Sequence, residues 1–159
     1  MKSNSLSDIK KELKELDKNQ LMELCLRLAK YKVDNKGLLS YLLFQAGNIQ
    51  QAVEEIKTSI TTDFEEVPPL DKYYSKKSIR KVLRTTLKYA KYMQNKEAEL
   101  ELLIHFCKEF RNKGLTFSHQ PIILNIYFAQ IKKIEKLITG LHEDLQYDFQ
   151  KEVDELMVL

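Results

Sequence analysis

Residues that break helices are scarce in this sequence. Only 4 glycines and 3 prolines occur among 159 residues, while leucine, lysine and glutamate are abundant. A chain this poor in turn residues is typical of an all-helical protein. Because the glycines are few and scattered, they cannot form the glycine-rich loop with which a P-loop or dinucleotide-binding protein holds phosphate.

Cysteine and long apolar runs are also scarce. The two cysteines, Cys25 and Cys107, form no C-x-x-C pair, which excludes a zinc ribbon or a dithiol redox centre. Both lie inside apolar helical patterns, so we predict buried thiols of the kind that suits a reducing compartment. No apolar run approaches the roughly 18 residues of a membrane span, and no secretory leader is evident at the N-terminus. We therefore expect a cytoplasmic protein without a membrane partner.

Motifs that would indicate catalysis or a resident metal are missing too. The sequence contains neither G-x-S-x-G nor H-E-x-x-H. Glu101, His105 and Glu109 are spaced i, i+4, i+8, but a metal site also needs ligands from a second element. We interpret this row as a solvent-exposed polar face, and we predict no enzymatic activity, no cofactor and no metal.

What the sequence does contain is helical periodicity along nearly its whole length. Apolar residues recur at steps of three and four, with breaks predicted near residues 33–35, 47, 67–74, 114–120 and 140. The pattern predicts an all-α protein of about eight helices in antiparallel hairpins, as an irregular α-solenoid-like or bundle arrangement. We predict a single all-helical domain over residues 1–159, with a candidate internal boundary at 67–74.

Residues 17–44 look like the organising element of this fold. Asp17 and Gln20 form a predicted capping box, and Leu28 is predicted to face the core. The following helix, which contains Leu42, is apolar over a wide arc and is therefore predicted to be interior, with Gly47 as its left-handed stop. A later helix, starting at Pro121, is predicted to lie at the centre of the fold.

The caps of three other helices are also predicted. They are Ser5 or Ser7 for the first helix, Asn48 for the helix after Gly47, and Ser75 for the helix that follows the boundary at 67–74.

The clearest functional feature is a row of cations. Nine basic residues and no acidic one lie between Lys72 and Lys96. Six of them share about 100° of a helical wheel, opposite the apolar face. We call them the basic stripe: Lys77, Arg80, Lys81, Arg84, Lys88 and Lys91. Four tyrosines within or beside this segment could stack on nucleic acid bases: Tyr73, Tyr74, Tyr89 and Tyr92.

Three explanations of the basic stripe stand side by side. It could be solvated or could pair with the acidic segment that follows residue 141, it could bind an acidic protein, or it could follow a phosphate backbone. The net charge of the whole chain is only +3, which is small for a dedicated nucleic-acid binder.

Several segments of the chain resemble a known family. KKELKELDKNQLMELCLRLAKYKVDNKGLLSYLLFQA, SIRKVLRTTLKYAKY and ELELLIHFC are similar to a family of small all-helical bacterial proteins of uncharacterised function. The resemblance implies an all-helical fold and a bacterial cytosol, and it assigns no residue a role. Separately from this resemblance, stacked helix hairpins offer apolar slots with charged rims, so we expect a non-enzymatic protein–protein interaction module that binds a protein or peptide in a groove between helices. The alternative is a nucleic-acid-binding helical protein that uses the basic stripe.

Overall fold

The computed structural model describes residues 4–68, 72–115 and 120–157. Eight helices and no strand occur in this part of the chain, so the all-α prediction is confirmed. The contacts divide the chain into two compact units, residues 1–44 and 45–159. Residues 69–71 of the predicted boundary at 67–74 lie outside the described ranges, and a single domain over 1–159 stays a prediction.

The first unit contains three helices. They are α1 (Leu6–Glu15), α2 (Lys18–Tyr31) and α3 (Val33–Phe44). Ser5 caps α1, and the predicted capping box of α2 is present, with Asp17 accepting from the Gln20 backbone N–H and Gln20 from that of Asp17. α2 and α3 pack against each other.

The second unit contains five helices. They are α4 (Ile49–Glu65), α5 (Lys72–Met93), α6 (Lys96–Asn112), α7 (Pro121–Ile138) and α8 (Glu143–Met157). Asn48 caps α4, and Pro121 occupies the first turn of α7, where its missing N–H removes no helical hydrogen bond. Sequence neighbours pack on each other from α4 to α8.

The core of the second unit is built on α6. This helix packs against α4, α5, α7 and α8, and eight of its residues are buried. Phe106 and Phe110 belong to a run of aromatic contacts that includes Phe64 of α4 and Tyr127 of α7. The prediction that the helix starting at Pro121 is central was therefore wrong. α6 is apolar on more than one side, so it can bury surface against four neighbours at once.

Two predicted helix ends also differ from the structure. Gly47 does not adopt a left-handed conformation, whereas Gly114 does, with φ of 73°. Ser75, which looks like a helix cap, lies inside α5, where its hydroxyl donates to the Pro68 carbonyl oxygen. A serine after a polar segment matches the cap pattern, but α5 had already started one turn earlier at Lys72.

Candidate functional site

The first candidate site is an apolar groove in the first unit, between α2 and α3. α2 ends at Tyr31 and α3 starts at Val33, so a single extended residue, Lys32 with φ of −142°, turns the chain between them. The Asn35 side chain donates to the Leu28 carbonyl oxygen across the turn at 2.9 Å. The α2–α3 groove encloses about 350 Å³ and is lined by Cys25, Leu28, Ala29, Asn35, Leu38, Leu39 and Leu42.

The apolar side chains of this unit are largely exposed. α2 has no buried residue, and α3 has only Tyr41. Leu28 and Leu42 are 54% and 53% exposed, so the predictions that they face a core, and that α3 is interior, were wrong. The reason is that α2 and α3 can cover only one side of each other, while α3 is apolar around most of its circumference. The surplus apolar surface faces solvent.

The charge of the segment that forms the groove is positive. Residues 18–44 contain five basic and two acidic residues. Lys18 lies two helical turns before Cys25 on the same side of α2, and Lys36 lies one turn before Leu39 on α3. Glu23 falls on the opposite side of α2 from Cys25. The helix pair that forms the groove therefore carries a net positive charge.

The two cysteines differ in environment. Cys25 is exposed in the groove, contrary to the prediction, and Cys107 is buried in α6 as predicted. Burial raises the pKa of the Cys107 thiol to about 12, which keeps it protonated at neutral pH. Because the thiolate is the reactive form, Cys107 is unsuited to nucleophilic catalysis.

We expect one thiol of the native protein to react with a neutral-pH thiol reagent and the second to react only after unfolding. Titration with a chromogenic disulfide at pH 7, with and without denaturant, measures this directly. The Cys25→Ser variant should then show no fast-reacting thiol. Two fast thiols in the native protein would contradict the burial of Cys107.

The second candidate site is a polar pocket between α4, α6 and α8. It measures about 170 Å³ and its lining includes Lys57, Glu101, His105, Lys108 and Glu152. The Lys57 ammonium lies 2.7 Å from a Glu101 carboxylate oxygen, and the Lys108 ammonium lies 2.6 Å from one of Glu152. The charged groups that line the pocket thus already pair with each other across helices.

The row of Glu101, His105 and Glu109 on α6 is not the solvent-exposed polar face that the sequence predicts. The contacts of His105 show why. Its side chain is half-buried, and its Nε2 lies 2.9 Å from the Thr61 hydroxyl of α4 and 4.0 Å from a Glu109 carboxylate oxygen. Burial lowers the pKa of His105, while the Glu109 carboxylate opposes this shift. No group of three metal-ligating side chains comes together within the described ranges. The row therefore joins α6 to α4. The sequence could not show this, because Thr61 and His105 are 44 residues apart.

The third candidate site is the basic stripe on α5. Lys77, Arg80, Lys81, Arg84 and Lys91 are exposed, while Lys88 is half-buried with its ammonium 5.6 Å from the centre of the Tyr89 ring. Tyr92 is buried and contacts Tyr89 edge to face, so it does not offer a ring for stacking. The exposed rings are those of Tyr73 and Tyr74, which lie one turn before Lys77.

The acidic helix α8 makes polar contacts with α6. Glu152 bonds to Lys108 of α6, and the Glu155 carbonyl oxygen accepts from the Arg111 guanidinium. Over the described ranges, no ion pair connects a carboxylate of α8 with the five exposed cations of the stripe, Lys77, Arg80, Lys81, Arg84 and Lys91. Pairing with α8 therefore does not account for these five cations.

Comparison with known proteins adds no activity to these sites. No family model, no curated protein and no solved structure matches the chain. This agrees with a resemblance to a family that has no assigned activity. Within the residues that the structure describes, no helix has the length and apolar content to cross a membrane.

Proposed function

We propose that this protein is a non-enzymatic interaction module, whose α2–α3 groove binds an amphipathic helix of a partner protein. The observation that carries the proposal is the groove itself, an apolar concavity of about 350 Å³ between α2 and α3. Most of the large apolar side chains of these two helices are exposed. Exposed apolar surface of this kind, when contiguous, marks interaction sites. A cleft between two helices accepts the apolar side chains that a third helix presents at i, i+3, i+4 and i+7.

The charge at the groove defines the partner further. Residues 18–44, which form the two helices around the groove, are net positive. Charges at the edge of an interface choose between partners and accelerate association more than they add affinity. We therefore propose that the partner helix carries aspartate or glutamate on both sides of its apolar stripe. A second copy of the same segment would bring like charges together and is disfavoured.

The other candidate sites support a non-catalytic role. The ionic groups of the polar pocket pair with each other, which is typical of a structural contact between helices. The remaining nucleophile in the core, Cys107, is held protonated by burial. A reduced, unpaired cysteine in the core also supports our proposal of a cytoplasmic location.

The proposal is tested with a designed 18-residue peptide that places leucine at helical spacing between glutamates. We expect saturable binding in calorimetry, and we expect Leu28→Asp and Leu42→Asp each to weaken it at least about 10-fold, because a carboxylate would be buried against leucine. Leu26→Asp is the matched control. Leu26 is similarly exposed on α2 but lies outside the groove, so this change should have little effect.

Two further peptides make the test specific. One has lysine in place of each glutamate, and the other has the same composition in scrambled order. We expect both to bind more weakly than the acidic amphipathic peptide, the first through repulsion and the second because its leucines do not share a face. Equal binding of all three peptides, or equal losses for Leu26→Asp and Leu28→Asp, would contradict the proposal.

A further inference from the structure

The second unit carries a surface that the proposed function does not use, namely the outer face of α5. This helix holds eight of the 26 basic residues of the chain and none of the 23 acidic ones, so the rest of the chain is net −5. The modest overall charge of +3 thus conceals a strong separation of charge. A local field of this kind attracts polyanions even when the total charge is small.

The five exposed cations of the stripe have no acidic partner. Lys77, Arg80, Lys81, Arg84 and Lys91 form no ion pair in the described ranges. Three carboxylates on the helices that pack against α5 pair with lysines outside the stripe: Glu54 and Glu101 with Lys57, and Glu99 with Lys133.

The geometry of α5 restricts which polyanion fits. Ile79, Val82, Ala90 and Met93 are buried, and α5 packs against α4 and α6, so only its outer face is accessible. Base-specific reading of a duplex pairs Asn or Gln with adenine beside Arg or Lys with guanine, and α5 contains no Asn or Gln. Insertion into a membrane needs an exposed apolar face, which α5 also lacks.

The accessible face of α5 presents the exposed cations of the basic stripe along a line. The stripe extends about 21 Å from residue 77 to residue 91, at 1.5 Å per residue. Four of its exposed cations lie in the first half, and Lys91 lies two turns after Arg84. Tyr73 and Tyr74, 65% and 56% exposed, extend the same side of the helix at its start. Aromatic rings beside a line of cations suit a single strand, because the phosphates meet the cations while the bases stack on the rings.

We infer that the outer face of α5 binds single-stranded nucleic acid without base specificity. The five exposed cations contact successive phosphates, and Tyr73 and Tyr74 stack on bases at one end. This site lies on residues 72–91 alone, so it neither requires nor excludes peptide binding in the α2–α3 groove.

The test is fluorescence anisotropy with a labelled 20-nucleotide oligouridylate over a range of salt concentrations. With five phosphate contacts, log K should fall against log salt with a slope of about −3.5, at about 0.7 for each contact on a single strand. The triple change Lys77→Gln, Lys81→Gln and Arg84→Gln should reduce the slope by about 2. The change Tyr73→Leu with Tyr74→Leu should weaken binding at least about 5-fold and leave the slope unchanged.

The matched control removes three cations elsewhere on the same unit. Lys132→Gln, Lys136→Gln and Lys151→Gln alter residues that are exposed and form no ion pair in the described ranges, and they change the net charge by the same amount. We expect this control to bind like the unaltered protein. The inference is overturned by a control that loses as much affinity as the stripe variant, or by absence of binding at about 50 mM salt. It is also overturned if polyglutamate or anionic vesicles compete as effectively as the oligonucleotide.

Discussion

Replacing Phe106 by alanine should destabilise the second unit by about 3–5 kcal/mol. Phe106 is fully buried in α6, with its ring centre 5.2 Å from that of Phe64 and 6.3 Å from that of Phe110. The change removes apolar contacts to Phe64 of α4 and to Phe110 within α6, and it leaves a cavity that the close-packed surroundings can fill only partly. Urea denaturation followed by circular dichroism measures the shift of the midpoint.

The control for this prediction is the same substitution at Phe44. Phe44 lies at the end of α3 and is 81% exposed, so Phe44→Ala should change the free energy of unfolding by no more than about 0.5 kcal/mol. Equal midpoint shifts for the two variants would show that the core is not centred on α6.

Replacing Tyr127 by phenylalanine should cost about 1–3 kcal/mol. The fully buried Tyr127 hydroxyl donates a hydrogen bond of 2.7 Å to the Leu156 carbonyl oxygen and so connects α7 with α8. Without the hydroxyl, that carbonyl is left without its partner in an apolar surrounding. Tyr147→Phe is the control, since Tyr147 is exposed on α8 and the same atom is removed at no comparable cost. An equal loss in both variants would contradict the role of the hydrogen bond.

The same tyrosine predicts a dependence on alkaline pH. Burial raises the pKa of Tyr127 to about 12, with the Cys107 thiol acting in the same direction, against an ordinary value of 10. Between pH 10 and pH 12 the unfolded chain releases the tyrosine proton while the folded protein retains it, so stability falls as the pH rises. Tyr127→Phe lacks this contribution. The stability difference between the two proteins should therefore narrow over that pH window in urea titrations.

Local chemistry made the helices predictable. The capping box of Asp17 and Gln20, the caps at Ser5 and Asn48, and Pro121 in a first turn are all readable from a few neighbouring residues, and all are confirmed. Each depends on hydrogen bonds within one turn, so no knowledge of the tertiary fold is needed. Ser75 shows the limit of such rules, because its hydroxyl bonds to a carbonyl seven residues earlier.

Which apolar helix is buried was not predictable in the same way. α3 and α6 both contain many leucines, yet Leu42 is exposed while Leu103 is fully buried. The difference arises from the number of neighbours: α6 packs against four helices, and α3 packs against α2. Periodicity identifies an apolar face but does not state how many other helices cover it.

In the candidate sites, too, local features could be predicted from the sequence and features that depend on tertiary packing could not. The cations of the basic stripe could be located from the sequence, because one helix places them on one side. Which of the neighbouring tyrosines are exposed could not be predicted, since the burial of Tyr92 depends on tertiary packing. The groove could not be predicted from the sequence, because the apolar pattern of its residues, including Leu28 and Leu42, predicts a core. Only the structure shows that these side chains are exposed.

The central claim, that the α2–α3 groove binds an acidic amphipathic helix, is tested most directly from inside the groove. Cys25 lines it and is exposed, so an environment-sensitive fluorophore can be attached there without altering the buried Cys107. We expect the acidic amphipathic peptide to shift the emission to shorter wavelength in a saturable way, because the bound helix excludes water from the dye. An unchanged spectrum, or the same shift with the scrambled peptide, would contradict the claim.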